Sequence, residues 1–170
     1  IRDRGMIQDT TPEVDLALFG ALGDLALRKL YPALYHLDRD GLLAVDTRVL
    51  GLARQDLDVE AFRKRVREAL KKYVKATALD NDCLQRFIER LDYRVLDFAT
   101  VEGYDAIRDW RATASRDGTQ APMTVYLAVP ASIYGAICRN LEASGSLDDD
   151  TRVVVAVSYT HLTLPTKRIV

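Results

Sequence analysis

The chain has 170 residues, enough for one domain with a real core. Hydrophobic residues make up 48% and charged residues 29%, an ordinary balance for a globular protein, and a net charge of −1 offers no basic surplus for non-specific nucleic-acid binding. No apolar run approaches a membrane span and no signal-peptide core opens the chain, so Cys83 and Cys138 are expected to be buried free thiols in a reducing cytoplasm.

Residues 1–12 are polar and are expected to form a loose N-terminal segment. Val14–Phe19 is an almost unbroken apolar run, the pattern of a central parallel strand covered on both faces. Gly20-Ala21-Leu22-Gly23-Asp24-Leu25-Ala26 follows, and from Asp24 the spacing of Leu30, Ala33, Leu34 and Leu37 is helical. Pro32 should kink that helix or remove one of its hydrogen bonds, and Gly41 should stop it. Arg48–Ala53 reads as a second strand. Val59, Phe62, Val66, Leu70 and Tyr73 mark one face of a second helix with a basic outer side. Cys83, Phe87, Ile88 and Leu91 mark a shorter helix, and Tyr93–Leu96 a third strand. Tyr104, Ile107 and Trp110 suggest another helix, and Arg116–Pro122 a polar turn. Met123–Val129 is a fourth strand, a helix follows over Ile133–Leu141, and Thr151–Val157 is a fifth strand. Strands alternating with helices predict an α/β fold: a Rossmann-like, doubly wound, mostly parallel sheet with helices on both faces, spanning residues 13–155.

The chemistry concentrates after the first strand. A buried strand, a glycine turn and a helix N-terminus together make a phosphate site, because glycine lets the phosphate approach and the free N–H groups favour its charge. The spacing Gly20, Gly23, Ala26 is a relative of the dinucleotide fingerprint. Ala21, Leu22, Asp24 and Leu25 supply the intervening backbone, and Asp24 is placed to cap the helix. A side chain at Gly23 would take space the pyrophosphate needs, and the turn there admits a positive φ. Arg54 ends the second strand, where this fold faces the adenosine ribose. An acidic residue there would suit NAD, whereas arginine can pair with the 2′-phosphate of NADP. Arg28 and Lys29 read as the solvated face of the first helix. His36 lies late in that helix, far from the phosphate end. No catalytic triad, paired carboxylates or metal cluster emerges, so no catalytic or metal-binding residue is assigned.

The run Phe19–Tyr35 resembles the coenzyme loop and first helix of the glucose-6-phosphate dehydrogenase family, which carries Gly-Ala-Ser-Gly-Asp-Leu-Ala, basic residues and a proline. Asp46–Arg54 resembles that family's second strand with its terminal arginine. Tyr126-Leu127-Ala128-Val129-Pro130 resembles its Leu-Ala-x-Pro-Pro segment, and Arg152–Val155 the strand before its Glu-Lys-Pro signature. Leu22 departs from the pattern, standing where serine is common. The resemblance implies coenzyme contacts at Asp97, Phe98 and Tyr134 and an NADP cofactor. It implies a cytoplasmic, homo-oligomeric parent that oxidises glucose 6-phosphate to 6-phosphogluconolactone in the pentose phosphate pathway. The family's Arg-Ile-Asp-His-Tyr-x-Gly-Lys-Glu stretch, with its histidine base, is missing, so this chain is expected to be inactive. Residues 156–170, His161 among them, resemble translated sequencing-adapter read-through and are expected to be a non-native tail. Two rivals remain open on the residues: a non-catalytic NADP-binding sensor and another NADP-dependent reductase.

Overall fold

The structure, a computed structural model, describes residues 11–114 and 118–156. The expectations for residues 1–10, for Arg116, and for the tail from Val157 onward, His161 included, lie outside the described residues.

Five strands form one sheet: β1 (Asp15–Phe19), β2 (Arg48–Ala53), β3 (Leu91–Val95), β4 (Met123–Leu127) and β5 (Arg152–Val155). Their order is β3-β2-β1-β4-β5 and every pairing is parallel. Five α-helices connect them: α1 (Tyr31–Arg39), α2 (Val59–Tyr73), α3 (Asn81–Glu89), α4 (Asp105–Ala112) and α5 (Tyr134–Ala143). A strand's side chains alternate between faces, and here that alternation divides the core in two. Leu18, Val49, Leu91 and Tyr93 pack with Tyr31, Tyr35, Phe62, Val66 and Phe87 of α1–α3 on one face. Ala17, Phe19, Leu50, Leu52, Val125 and Leu127 pack with Ile107, Trp110, Ile137 and Leu141 of α4 and α5 on the other. The doubly wound, helix-covered sheet is therefore present, and it is wholly parallel.

Some boundaries differ from expectation. The third strand begins at Leu91 rather than Tyr93, because fully buried Leu91 already pairs with Val49. The polar Asp92 and Arg94 on its alternate positions hid this in the sequence. The fourth strand ends at Leu127 and the fifth spans Arg152–Val155, both shorter than the apolar runs. Cys83 and Cys138 are free thiols, but both are half-exposed rather than buried. Asp80 caps α3 by accepting the Cys83 N–H at 2.8 Å, and Asp58 caps α2 by accepting the Ala61 N–H at 2.7 Å. Gly41, at φ 71°, ends α1 as expected, with Leu42 N–H reaching back to Leu37 O at 2.8 Å.

Pro32 acts through a widened turn. Residues Ala26–Leu30 form a π-helical turn, and Tyr31 N–H donates to Ala26 O. Pro32 then stands at the start of the regular α-helix, where its missing N–H is best tolerated.

At the N-terminal end of the sheet, buried Asp15 and half-buried Arg48 make a two-pronged ion pair, Nε to Oδ1 at 3.1 Å and Nη2 to Oδ2 at 2.9 Å. The Arg48 guanidinium lies 4.0 Å from the Trp110 ring centroid and also donates to Trp110 O at 3.1 Å. This pair ties β1, β2 and α4 together, at the edge opposite the glycine turn.

Candidate functional site

The glycine turn sits at the C-terminal end of β1, between β2 and β4. Gly20 has φ +83°, and a Cβ there would collide with Ala128 O and stand 3.0 Å from Val129 Cγ1. Only glycine fits both the conformation and the space. The N–H groups of Gly20 and Ala21 donate to Leu52 O at 3.0 and 3.1 Å, which draws the turn over the end of β2. Gly23 N–H donates to Gly20 O and Leu27 N–H to Gly23 O, each at 3.0 Å, so the helix starts immediately. Its first-turn N–H groups have no intrahelical acceptors and carry the positive end of the helix dipole.

Two residues outside the motif hold this turn. Tyr31, completely buried, donates its hydroxyl to Ala21 O at 2.7 Å. Burial, and secondarily Tyr93, push its ionisation well above the ordinary tyrosine value, so it stays a donor. Gly51 in β2 makes the room: a Cβ there would lie 2.6 Å from Phe62 Cζ and 3.0 Å from Ala21 Cβ. Sequence reasoning missed both, although a glycine inside an apolar strand is itself a signal of close approach.

An open groove of about 440 Å³ lies over this end of the sheet, lined by Gly20, Leu22, Gly23, Ala53, Arg54, Gln55 and Phe98. Five of the residues singled out in the sequence, Gly20, Leu22, Gly23, Arg54 and Phe98, thus converge on one concavity. Arg54 is exposed, and its guanidinium has no ion pair or hydrogen bond among the described residues. Phe98 is half-buried, its ring 5.2 Å from that of Phe19, and its carbonyl accepts from Tyr104 Oη at 2.8 Å. Ala21 and Ala26 are fully buried beneath the turn and let the helix pack close.

The other assigned residues sit differently. Leu25 is exposed and lies outside the groove lining. Asp24 is not the cap: it already occupies the first helical turn, where it pairs with Arg28 at 3.3 Å. Its charge is favourable beside the helix dipole, but its side chain is not placed to close the helix end. Gly23 does not have a positive φ; that conformation belongs to Gly20. Asp97 is exposed, and its carboxylate accepts the Ala99 N–H at 3.0 Å, fixing the turn after β3. Tyr134 begins α5 and lies outside the groove lining, its hydroxyl donating to Ala156 O at 3.1 Å beyond the end of β5. Arg28 and exposed Lys29 belong to the outer face of the first helix, as expected. The His36 ring lies 5.7 Å from that of Tyr35, tilted by 60° to it, near the end of α1.

The donor set suits a phosphate-bearing dinucleotide. Backbone N–H groups at a helix start can receive phosphates, a guanidinium stands at the end of β2, and an aromatic edge lies beyond. Gly23 lines this concavity, and a Cβ there would stand 3.3 Å from Gly20 O and 3.9 Å from Ala128 O. Among the described residues no cluster of histidine, cysteine or carboxylate could hold a metal ion. No described helix is long and apolar enough to cross a membrane.

Residues 17–159 match the family described as glucose-6-phosphate dehydrogenase, NAD binding domain. The chain is 38% identical over 141 residues to glucose-6-phosphate 1-dehydrogenase of Mycolicibacterium smegmatis, covering 83% of this chain and 28% of that protein. It is 38% identical over 149 residues to the Dickeya dadantii protein of the same name, covering 88% of this chain and 29% of the relative. The crystal structure of glucose-6-phosphate 1-dehydrogenase from Mycobacterium avium superimposes with a TM-score of 0.75 at 27% identity, over 88% of this chain and 31% of that one. The chain spans less than a third of the length of these relatives.

Proposed function

The chain belongs to the glucose-6-phosphate dehydrogenase family by its nucleotide-binding domain, and on that premise we propose that residues 13–155 hold NADP in an enzyme oxidising glucose 6-phosphate to 6-phosphogluconolactone. The observation that carries this reading is the convergence of Gly20, Gly23 and Arg54 on one groove. The groove opens at the carboxyl ends of β1 and β2, beside the β1–β4 junction where the strand order reverses. Open α/β sheets bind ligands at such switch points.

The bound nicotinamide would supply the hydride acceptor. The chain's own groups do the positioning. The first-turn N–H groups after Gly23 receive the pyrophosphate. Arg54 pairs with the 2′-phosphate, a contact that a coenzyme without that phosphate cannot make. Phe98 and Asp97 border the adenine side, and Tyr134 lies toward the nicotinamide side. His36, the one histidine among the described residues, sits near the end of α1, away from the groove. On this reading the base and the sugar-phosphate site belong to other parts of the enzyme. The same reading places the parent in the cytoplasm, as a homo-oligomer, at the entry to the pentose phosphate pathway.

Calorimetric titration of the chain with NADP⁺ and NAD⁺ tests the reading. Loss of one charge-assisted contact costs roughly 1.5–3 kcal/mol, so NADP⁺ should bind about one to two decades more tightly. Equal affinities would return the domain to NAD.

A further inference from the structure

Arg54 is not the only guanidinium at the end of β2. Arg65 projects from the second turn of α2, and its Nη1 lies 3.5 Å from Gln55 Oε1. Gln55 follows Arg54 and lines the coenzyme groove. Its backbone is held firmly: the Tyr93 hydroxyl donates to Gln55 O at 2.6 Å, with Ala53 O a further neighbour at 3.4 Å. Arg65 therefore meets a fixed strand exit.

The other arginines of this helix are committed elsewhere. Arg63 donates to Leu91 O at 2.9 Å, and Arg67 to Gln85 Oε1 at 2.8 Å, both toward β3 and α3. Arg65 is exposed and forms no ion pair among the described residues. Asp56, also exposed, is the carboxylate beside Gln55 in the chain and pairs with neither Arg54 nor Arg65 among the described residues. Two guanidinium groups without an ion pair among the described residues thus flank Gln55, one before it in the chain and one bonded to its side chain.

We propose that Arg65 is a second determinant of coenzyme choice, leaving Gln55 to share the 2′-phosphate with Arg54. The inference rests on the NADP reading above. A doubly charged phosphate offers more oxygens than one planar fork can engage, and a second fork from a neighbouring helix completes the set. Because Arg65 is exposed, its effect should be modest and sensitive to salt.

The test uses adenosine 2′,5′-bisphosphate and 5′-AMP, titrated calorimetrically into the 170-residue chain. Arg65→Ala should weaken the bisphosphate about three- to tenfold and leave 5′-AMP unchanged. Arg65→Lys should recover part of the loss, since it keeps the charge but not the fork. Lys64→Ala, which removes the same charge beside the Arg63–Glu89 groove, should change neither ligand. Unchanged bisphosphate affinity in Arg65→Ala refutes the role. So does an equal loss for both ligands, or an equal loss in Lys64→Ala, which would indicate only a diffuse field. If Arg54→Ala weakens the bisphosphate while Arg65→Ala does not, the NADP reading stands and only the Arg65 role falls. If the unaltered chain does not prefer the bisphosphate to 5′-AMP, the NADP reading itself fails.

Discussion

Replacing Gly20 and Gly23 in turn should separate folding from binding, although they stand three residues apart in one motif. At Gly20 an alanine meets two penalties. The left-handed backbone, φ +83°, costs an L-residue about 1–2 kcal/mol. The new Cβ also overlaps Ala128 O, a backbone atom at the end of β4 that can give way only if the strand end shifts. Overpacking of that kind costs about 1–3 kcal/mol. Gly20→Ala should therefore lose about 2–5 kcal/mol, or about 4–20 °C in Tm for a chain of this size. At Gly23 the backbone is ordinary and the nearest atom to a Cβ is Gly20 O at 3.3 Å. Gly23→Val should cost the fold about 1 kcal/mol or less, as a poorer helix-start residue. It should nonetheless abolish measurable NADP⁺ binding, because the side chain fills the cradle. Urea unfolding followed by circular dichroism, with m-values compared, gives the stabilities, and calorimetry gives the binding. A Gly20→Ala chain with an unaltered urea midpoint would refute the steric argument. A Gly23→Val chain that binds NADP⁺ normally would remove the glycine turn from the coenzyme site.

Other expectations follow from the remaining networks. Arg48→Ala leaves Asp15 buried without its partner and should cost about 3 kcal/mol by urea unfolding, whereas the Asp15→Leu, Arg48→Met double variant should recover most of it. The Asp80 carboxyl is held below its usual range, chiefly by the Cys83 N–H, so it stabilises the fold above the unfolded carboxylate pKa and loses that contribution as pH falls through its lower folded value. The urea midpoints of the parent and Asp80→Ala chains should accordingly differ at pH 7 and converge in acid. The purified 170-residue chain should produce no NADPH from glucose 6-phosphate, measured at 340 nm. Turnover that vanishes in His161→Ala would overturn that expectation.

What the sequence disclosed here was local. The glycine turn, the helix periodicities and the arginine at the end of β2 each lie within a few residues, and strand–helix alternation then implies the parallel sheet. What it hid depends on contacts between distant residues. Asp15 looks like a blemish in an apolar strand until Arg48 is placed beside it, 33 residues away. Tyr31 reads as a core aromatic, and only the folded turn reveals that its hydroxyl serves Ala21 O. Asp24 looks like a cap in the sequence, but a cap is defined by the backbone of the residue before the helix, and the turn places Gly23 there. Arg65 reads as part of a generic basic face, since nothing in its own helix distinguishes it from Arg63 or Arg67.

The widened turn at Ala26–Leu30 has a consequence for how this stretch tolerates length changes. An α-helix advances by 3.6 residues per turn, so one residue more or less rotates everything after it by about 100°. The i→i−5 closure absorbs one surplus residue and then hands over to the regular helix at Tyr31. Deleting any single residue between Ala26 and Leu30 would restore an ordinary helix on paper. It would also swing Tyr31 off Ala21 O and carry Tyr35 out of its fully buried place against Phe87. The phase of the whole first helix is thus set before the helix proper begins. A single-residue deletion here should therefore cost both the hold on the glycine turn and the packing of the first helix.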